Sequence, residues 1–408
     1  MVKFVFFILS GLMALSLHGQ EARKWLLSDG MMFEASVVSV DTSTVKLKAE
    51  SGKVASVPLQ KLSVTDLVYL VDKQGVEQES LSRYYSRDVE QEFRPNKKLM
   101  RKGKSVTIRT EEERLKFSTF STEHFEIWSD ERIDFGSIAE LLERAWFYTA
   151  WHHPDFRERF TKKRLVLFTH SEEAAQAICE WYATQRPELS SDRIQQIRES
   201  WPLHEQQWHL NLPEFAERNL DSTVLYWRGD KRDSSSPETE QFRFMITYAH
   251  LYHHYDRSIM RDDAEGMEAM HYFYYAKRME AEYSFYDEVT LAIGSDTGVV
   301  PGQGRIRDFG KALVKDITEG QREARMDYLF SIEFALREEV DLSQQLYSIS
   351  HFLHSDMRHE MGVARYIAGL NDRSLQHNAE NLAKCCGYAS AEELSTAYRA
   401  YLLAGEFR

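Results

Sequence analysis

Between about Ala22 and Asp72, apolar and polar positions alternate in short runs. Phe33-Glu34-Ala35-Ser36-Val37-Val38-Ser39-Val40, Thr44-Val45-Lys46-Leu47-Lys48 and Val54-Ala55-Ser56-Val57-Pro58-Leu59 carry a period close to two, with breaks at Asp29-Gly30 and Ser51-Gly52. A period of two puts successive side chains on opposite faces of an extended chain, so the pattern predicts short antiparallel strands joined by tight turns. Pro58 has no amide proton to give to a ladder and ends the last strand. Leu62-Ser63-Val64-Thr65-Asp66 follows as a capped helical turn folded over one end. A stretch of this length and pattern predicts a small β-barrel.

The next segment, 73–116, is rich in charge and poor in apolar periodicity, with Arg94-Pro95-Asn96-Lys97-Lys98 and Arg101-Lys102-Gly103-Lys104 at its basic centre. It reads as a solvated linker. From residue 117 onward longer periods appear. Glu123 to Ser129 predicts a strand, and Phe135 to Trp151 a helix with Ile138, Leu141, Leu142, Ala145 and Tyr148 along one face. Arg164 to Phe168 is a compact apolar strand, and a helix starting at Ser171-Glu172-Glu173 has a hydroxyl cap and early acids. Asp221 to Trp227 predicts a further strand. Ser234-Ser235-Ser236-Pro237-Glu238 then marks the start of another helix.

Within that helix Phe242, Ile246, Ala249 and His253 fall on one stripe, while Arg243, Thr247, His250 and His254 fall on another. One side can pack on a core and the other can face a cleft. His250 and His254 have the spacing at which two imidazoles share a helix face and bind zinc. In His-Glu-x-x-His peptidases the residue after the first His is the Glu that deprotonates the attacking water; here it is Leu251. Ala264-Glu265-Gly266-Met267-Glu268-Ala269-Met270-His271-Tyr272-Phe273 follows, in a long helix running to about Tyr286.

Other chemistry does not compete. Gly298 to Gly304 lacks the flanking residues of a phosphate-binding loop, no serine nucleophile elbow is present, and His351, His354 and His359 lack acidic partners at ligand spacing. A formal net charge of −13 over 408 residues argues against a nucleic-acid binder. The only cysteines, Cys179, Cys385 and Cys386, are too few for a disulfide framework and read as buried or partly buried thiols. Residues 1–19 combine Lys3, an apolar run from Phe4 to Leu17 and small residues at the end, the pattern of a secretory signal peptide. A secreted or periplasmic protein with no membrane span after cleavage is therefore expected.

Two resemblances join these pieces. Arg23, Trp25, Asp29-Gly30, Phe33, Ala35, Val45-Lys46-Leu47, Gly52-Lys53, Val57-Pro58-Leu59 and Lys61-Leu62-Ser63 resemble the first homology domain of the yeast Sla endocytic adaptor. That SH3-like barrel also occurs in exported proteins of planctomycete-type and verrucomicrobial bacteria. It implies protein or peptide binding for residues 20–72; a barrel that only packs on its neighbour is the equal alternative. Residues 117–408 resemble the gluzincins of the peptidase MA-like group, through the order strand, helix, strand, edge strand (Asp221 to Trp227) and His helix, the His pair, Glu265-Gly266, the helix at Tyr347 to Leu353 and the closing segments from Gly387 to Leu402. The resemblance implies that His250, His254 and Glu265 hold zinc, with Glu268 and His271 as fallback ligands and Leu251 at the general-base position.

The expected fold is thus α+β, an SH3-like barrel followed by a helix-rich zincin-like domain. No catalytic residue is assigned and no cofactor is expected, with zinc as the alternative. Three readings stay open for the His cluster: a remnant in a filled cleft, bound metal without catalysis, and working hydrolysis. The expected function is a noncatalytic binding or scaffold role with a protein or peptide partner and no nucleic acid. The alternative is an active zinc metallopeptidase with an unorthodox general base, such as His253 or a Glu of the second helix.

Overall fold

The structure is a computed structural model that describes residues 22–81, 93–109, 114–153, 156–159, 162–169, 172–184, 190–192, 207–210, 220–227, 306–331 and 340–404. The fold combines helices with two sheets, the first of them antiparallel, and is α+β.

The first sheet runs in chain order, β1 (Arg23–Leu26), β2 (Met32–Val40), β3 (Thr44–Ala49) and β4 (Val54–Pro58), all antiparallel. The alternation predicts this: Ala35, Val37, Val45, Leu47 and Val57 point inward and are buried. The adjacent Val37 and Val38 would break the period, and a bulge between Val37 and Ser39 restores it by leaving Val38 at the surface. Among the described residues the sheet is an open meander and not a closed barrel. The chain after Pro58 turns back along β1 instead, through a Leu27–Leu62 bridge and the bonds from Ser28 N to Lys61 O and Ser63 N to Leu26 O.

Ser63 caps a full helix, α1 (Val64–Gln74), where only a turn is expected, and the short helix α2 (Gln78–Leu81) follows it. The first turn of α1 carries Asp66, wholly buried, and this carboxylate is the anchor of the region. One oxygen, Oδ2, accepts from Leu26 N at 3.0 Å, Ser63 Oγ at 2.7 Å and Arg157 Nη1 at 3.2 Å; the other, Oδ1, accepts from Arg157 Nη2 at 2.9 Å and lies 3.1 Å from Arg23 Nη2. Arg157 Nη2 also donates to Thr65 Oγ1 at 2.7 Å. Burial alone would raise the pKa of Asp66, but the two guanidinium groups and these bonds outweigh it and hold the carboxyl below its ordinary range.

The second sheet has seven strands among the described residues, in the order β10 (Gln207–Leu210), β11 (Leu220–Trp227), β9 (Lys163–Thr169), β8 (Phe125–Ser129), β7 (Arg114–Ser121) and β5 (Arg101–Lys102), with β6 (Val106–Arg109) also on β7. The pairs β8–β9 and β9–β11 are parallel, and the rest are antiparallel. Two differences from the sequence reading follow. Asp221 to Trp227, read as an edge strand, is internal because β10 pairs outside it. Within the stretch read as a linker, Arg101–Lys102 and Val106–Arg109 are strands, whose few apolar positions among charges hide the period.

Strand β9 is buried on both faces, as its unbroken run from Leu165 to Phe168 requires. Val166 and Phe168 face α3 (Phe135–His152), while Leu165 and Leu167 pack with Ala174, Ala175 and Ile178 of α5 (Glu172–Thr184). The core on the α3 side is continuous with that of the first sheet, from Trp25 and Leu47 through Leu67 and Leu70 to Leu142 and Phe147. Arg157 reaches Asp66 from the short helix α4 (Phe156–Arg159). Phe93 completes the junction: it stacks on Phe147 at 4.1 Å and lies against Gly30, where any Cβ would meet its ring at 2.4 Å. Gly30 also has φ 83°, so glycine is required there twice over.

The C-terminal part adds α6 (Ile306–Thr318), α7 (Tyr328–Ser331), α8 (Val340–Leu353), α9 (Met357–Asn371), α10 (Ala379–Cys385) and α11 (Ala391–Ala404). Helix α9 belongs to two cores. Met357, Met361 and Ala364 join the one built on α1 and α3, and Val363, Tyr366 and Ile367 join one formed with α6, α8, α10 and α11. Arg365 of α9 also forks onto Asp72 of α1 at 2.8–3.1 Å. Among the described residues no helix is long and apolar enough to cross a membrane.

Arg157→Leu is expected to destabilise the protein by about 3 kcal/mol in chemical denaturation, because it strips the main partner from a buried carboxylate. Asp66 has its folded pKa below the unfolded value, so its contribution is complete above about pH 4 and fades as pH falls through the folded pKa. The gap between wild type and Arg157→Leu should therefore narrow in acid; a gap that is absent at pH 7 would show that the pair does not hold the junction.

Candidate functional site

His250, Leu251 and His254, with His253, and Glu265, Glu268 and His271 of the following helix, lie outside the described residues, as do residues 1–19. The described residues carry two buried acid–base clusters, one where the middle of a helix meets the start of a strand and one where three helices meet at their ends.

The first joins His124, just before β8, to Glu143 in the middle of α3. His124 Nδ1 lies 2.7 Å from Glu143 Oε2, and the His124 amide donates to Oε1 at 2.9 Å. The imidazole lies flat on Trp146, with centroids 3.5 Å apart and 10° between planes. Burial pushes the Glu143 carboxyl up, yet the charge and bonds of His124, with a bond from Thr122, overcome this and keep it below its ordinary range. Spacing along the chain gives no hint of this pair, because Glu143 reads as one polar residue on a helix face.

The second lies at the junction of α3, α8 and α9. His152 is the last residue of α3, His354 follows α8, and Glu360 is in the first turn of α9; all three are at most 3 % exposed. His152 Nδ1 donates to Tyr148 O at 3.0 Å and His354 Nδ1 to Ser350 O at 2.8 Å. A carbonyl only accepts, so these bonds fix the proton on Nδ1 in each ring and leave Nε2 as the basic nitrogen. His152 Nε2 is 3.8 Å from Glu360 Oε2, and the two imidazoles meet edge to face with centroids 5.6 Å apart. Both helix ends favour the arrangement: a carboxylate at the N-terminus of α9 and an imidazole at the C-terminus of α3.

His354 and His359, without acidic partners at metal-ligand spacing in the sequence, lie in clusters that include a carboxylate. Glu360 approaches the His152–His354 pair, and His359 lies 3.1 Å from Asp356 Oδ2 and 2.8 Å from the Tyr388 hydroxyl. Ligand spacing within one helix cannot reveal these contacts, since His152 comes from α3 and Tyr388 from the turn before α11. The capping pattern at Asp356 and the acid in the next turn were the available signal. Asp356 accepts from His359 N at 2.9 Å as the cap of α9.

Chemically, these clusters pair imidazoles with carboxylates inside the protein. Among the described residues no group of three or more His, Cys, Asp or Glu has the geometry to hold a metal ion. Cys385 and Cys386 are free thiols whose pKa burial raises, as expected of structural cysteines. Compared with models of known protein families, with curated proteins and with solved structures, the chain has no match.

Glu143→Gln is expected to cost about 2 kcal/mol at pH 7, the scale of a buried hydrogen bond to a charged group. The folded pKa of Glu143 is below the unfolded one, so the contribution holds above about pH 4.3 and fades as pH falls through the folded value. Denaturation curves of wild type and variant should converge below that pH; a difference that is constant with pH would assign the effect to packing alone.

Proposed function

We propose that this is a noncatalytic exported protein of the cell envelope that binds a protein or peptide partner, built from an SH3-like N-terminal unit and a zincin-like unit without its general base. Leu251 between His250 and His254 carries this reading. Leucine neither accepts a proton nor orients water, and a positioned general acid–base group typically contributes on the order of 100- to 10,000-fold in rate.

Two features of the fold support it. The succession β8, α3, β9 and then β11 ahead of the His segment is in keeping with the order that the gluzincin resemblance implies. The N-terminal sheet shares its core with α3 and α9, which suits a rigid scaffold better than a tethered binding module. A scaffold needs a fixed relation between its surfaces, and a buried ion pair with a common core supplies one.

The mature wild-type chain is expected to show no chelator-sensitive peptide hydrolysis when assayed with mixed peptide substrates beside His250→Ala. Zinc content of both, measured by elemental analysis, separates a live ligand set from a remnant. Hydrolysis by wild type that disappears with chelator and in His250→Ala would overturn the noncatalytic reading.

A further inference from the structure

Between Arg94 and Lys104 the chain carries six basic residues and no acidic one, although its net charge is −13. The segment is held in place. Phe93 anchors it through its stack on Phe147, and Asn96 to Met100 form a turn closed by bonds from Leu99 N to Asn96 O and from Met100 N to Lys97 O. Arg101 and Lys102 pair with Ser121 and Phe120 of β7. Gly103 N then donates to Thr119 O, and Thr119 Oγ1 donates to Lys104 O at 3.0 Å. The fit at Gly103 admits no side chain, since a Cβ would come within 2.2 Å of Thr119 Oγ1.

All six basic side chains are exposed. Lys97 pairs with Glu140 at 3.1 Å, but among the described residues no carboxylate pairs with Lys98, Arg101, Lys102 or Lys104. Beyond Lys104, Arg109 of β6 stands directly opposite Arg114 of β7, both exposed and, among the described residues, neither in an ion pair, with Glu111, Glu112 and Glu113 following Arg109 along the chain. Like charges in direct register cost stability. From Arg101 to Arg109 the extended chain covers about 26 Å of one sheet edge.

We propose that this basic edge is a binding surface for a linear acidic polysaccharide. Charge on an edge strand also guards against edge-to-edge aggregation, but either sign serves that purpose. A chain with 64 acidic residues that places six cations and no acid between Arg94 and Lys104 has the asymmetry expected of a surface for a polyanion. A linear array matches a linear polymer. Nucleic-acid strands are held by aromatic side chains on which bases stack, and here the aromatics are turned inward: Phe93 and Phe117 are buried and Phe120 stacks on Phe135. The contact is therefore one of charges along a backbone. The inference does not depend on the zincin-like reading or on the state of the His pair.

The test titrates the full mature chain with heparin as a probe polysaccharide, and with uncharged dextran, single-stranded DNA and vesicles rich in anionic phospholipid alongside. Heparin is expected to bind in preference to the other three, with affinity falling at least about tenfold from about 50 to about 200 mM salt. The combined variant K98E/R101E/K102E/K104E should weaken heparin at least about tenfold while its thermal midpoint stays that of wild type, because all four side chains are exposed. A neutral variant, K98Q/R101Q/K102Q/K104Q, guards against folding effects of charge reversal and should also lose affinity. Absence of heparin binding, binding unchanged in both variants, or DNA or vesicles bound as tightly as heparin would each overturn the proposal.

Discussion

A single carboxylate, Asp66, ties the chain together at the point where its two sheets meet. It accepts from the backbone of β1 and from the cap of α1, and it takes both terminal nitrogens of Arg157. A buried charge is tolerated only when its lone pairs are filled, and here they are. Around it the apolar side chains of the first sheet, α1, α3 and α9 form one core, with Phe93 and Gly30 closing one side and Arg365 with Asp72 another. The N-terminal sheet is thereby held against the larger unit, and the face of α1 that meets α3 and α9 is not available to a partner.

Helix α9 extends the same logic to the C-terminal helices. Its two faces serve two cores, and its first turn brings Glu360 to His152 and His354. Polar groups inside a protein persist where partners compensate them: helix ends supply dipoles and carbonyls to the His152–His354–Glu360 cluster, and His124 supplies its amide and ring to Glu143. The chemistry visible in the described residues is that of buried imidazole–carboxylate pairs. The metal site proposed at His250 and His254 has a leucine, Leu251, at the general-base position.

Much of the fold was legible in the sequence where one force dominates. The alternation in β2 and β3, the stripe along α3 and the apolar run of β9 each reflect burial of a face, and each lies where the pattern puts it. Ser63 was legible as a cap because capping is local. Strands β5 and β6 were not, since only Val106 and Ile108 alternate among charges on an edge. The junction was hidden for a different reason: Asp66 in a first helical turn reads as an ordinary dipole partner, and nothing along the chain announces Arg157. The clusters at His124 and His152 were missed likewise, as their partners come from other elements. Of the site itself, the sequence makes the His pair and the missing Glu plain, while the acid–base clusters needed three dimensions.

The central structural claim is that the N-terminal sheet and the larger unit form one cooperative body around Asp66. Native-state hydrogen exchange tests it most directly. The account predicts that the amides of β2 and β3 open with the same free energy as those of β8 and β9, as members of one cooperative unit. Exchange of β2 and β3 through a separate opening of clearly lower free energy, with β8 and β9 still protected, would contradict it and restore the N-terminal sheet as an independent module.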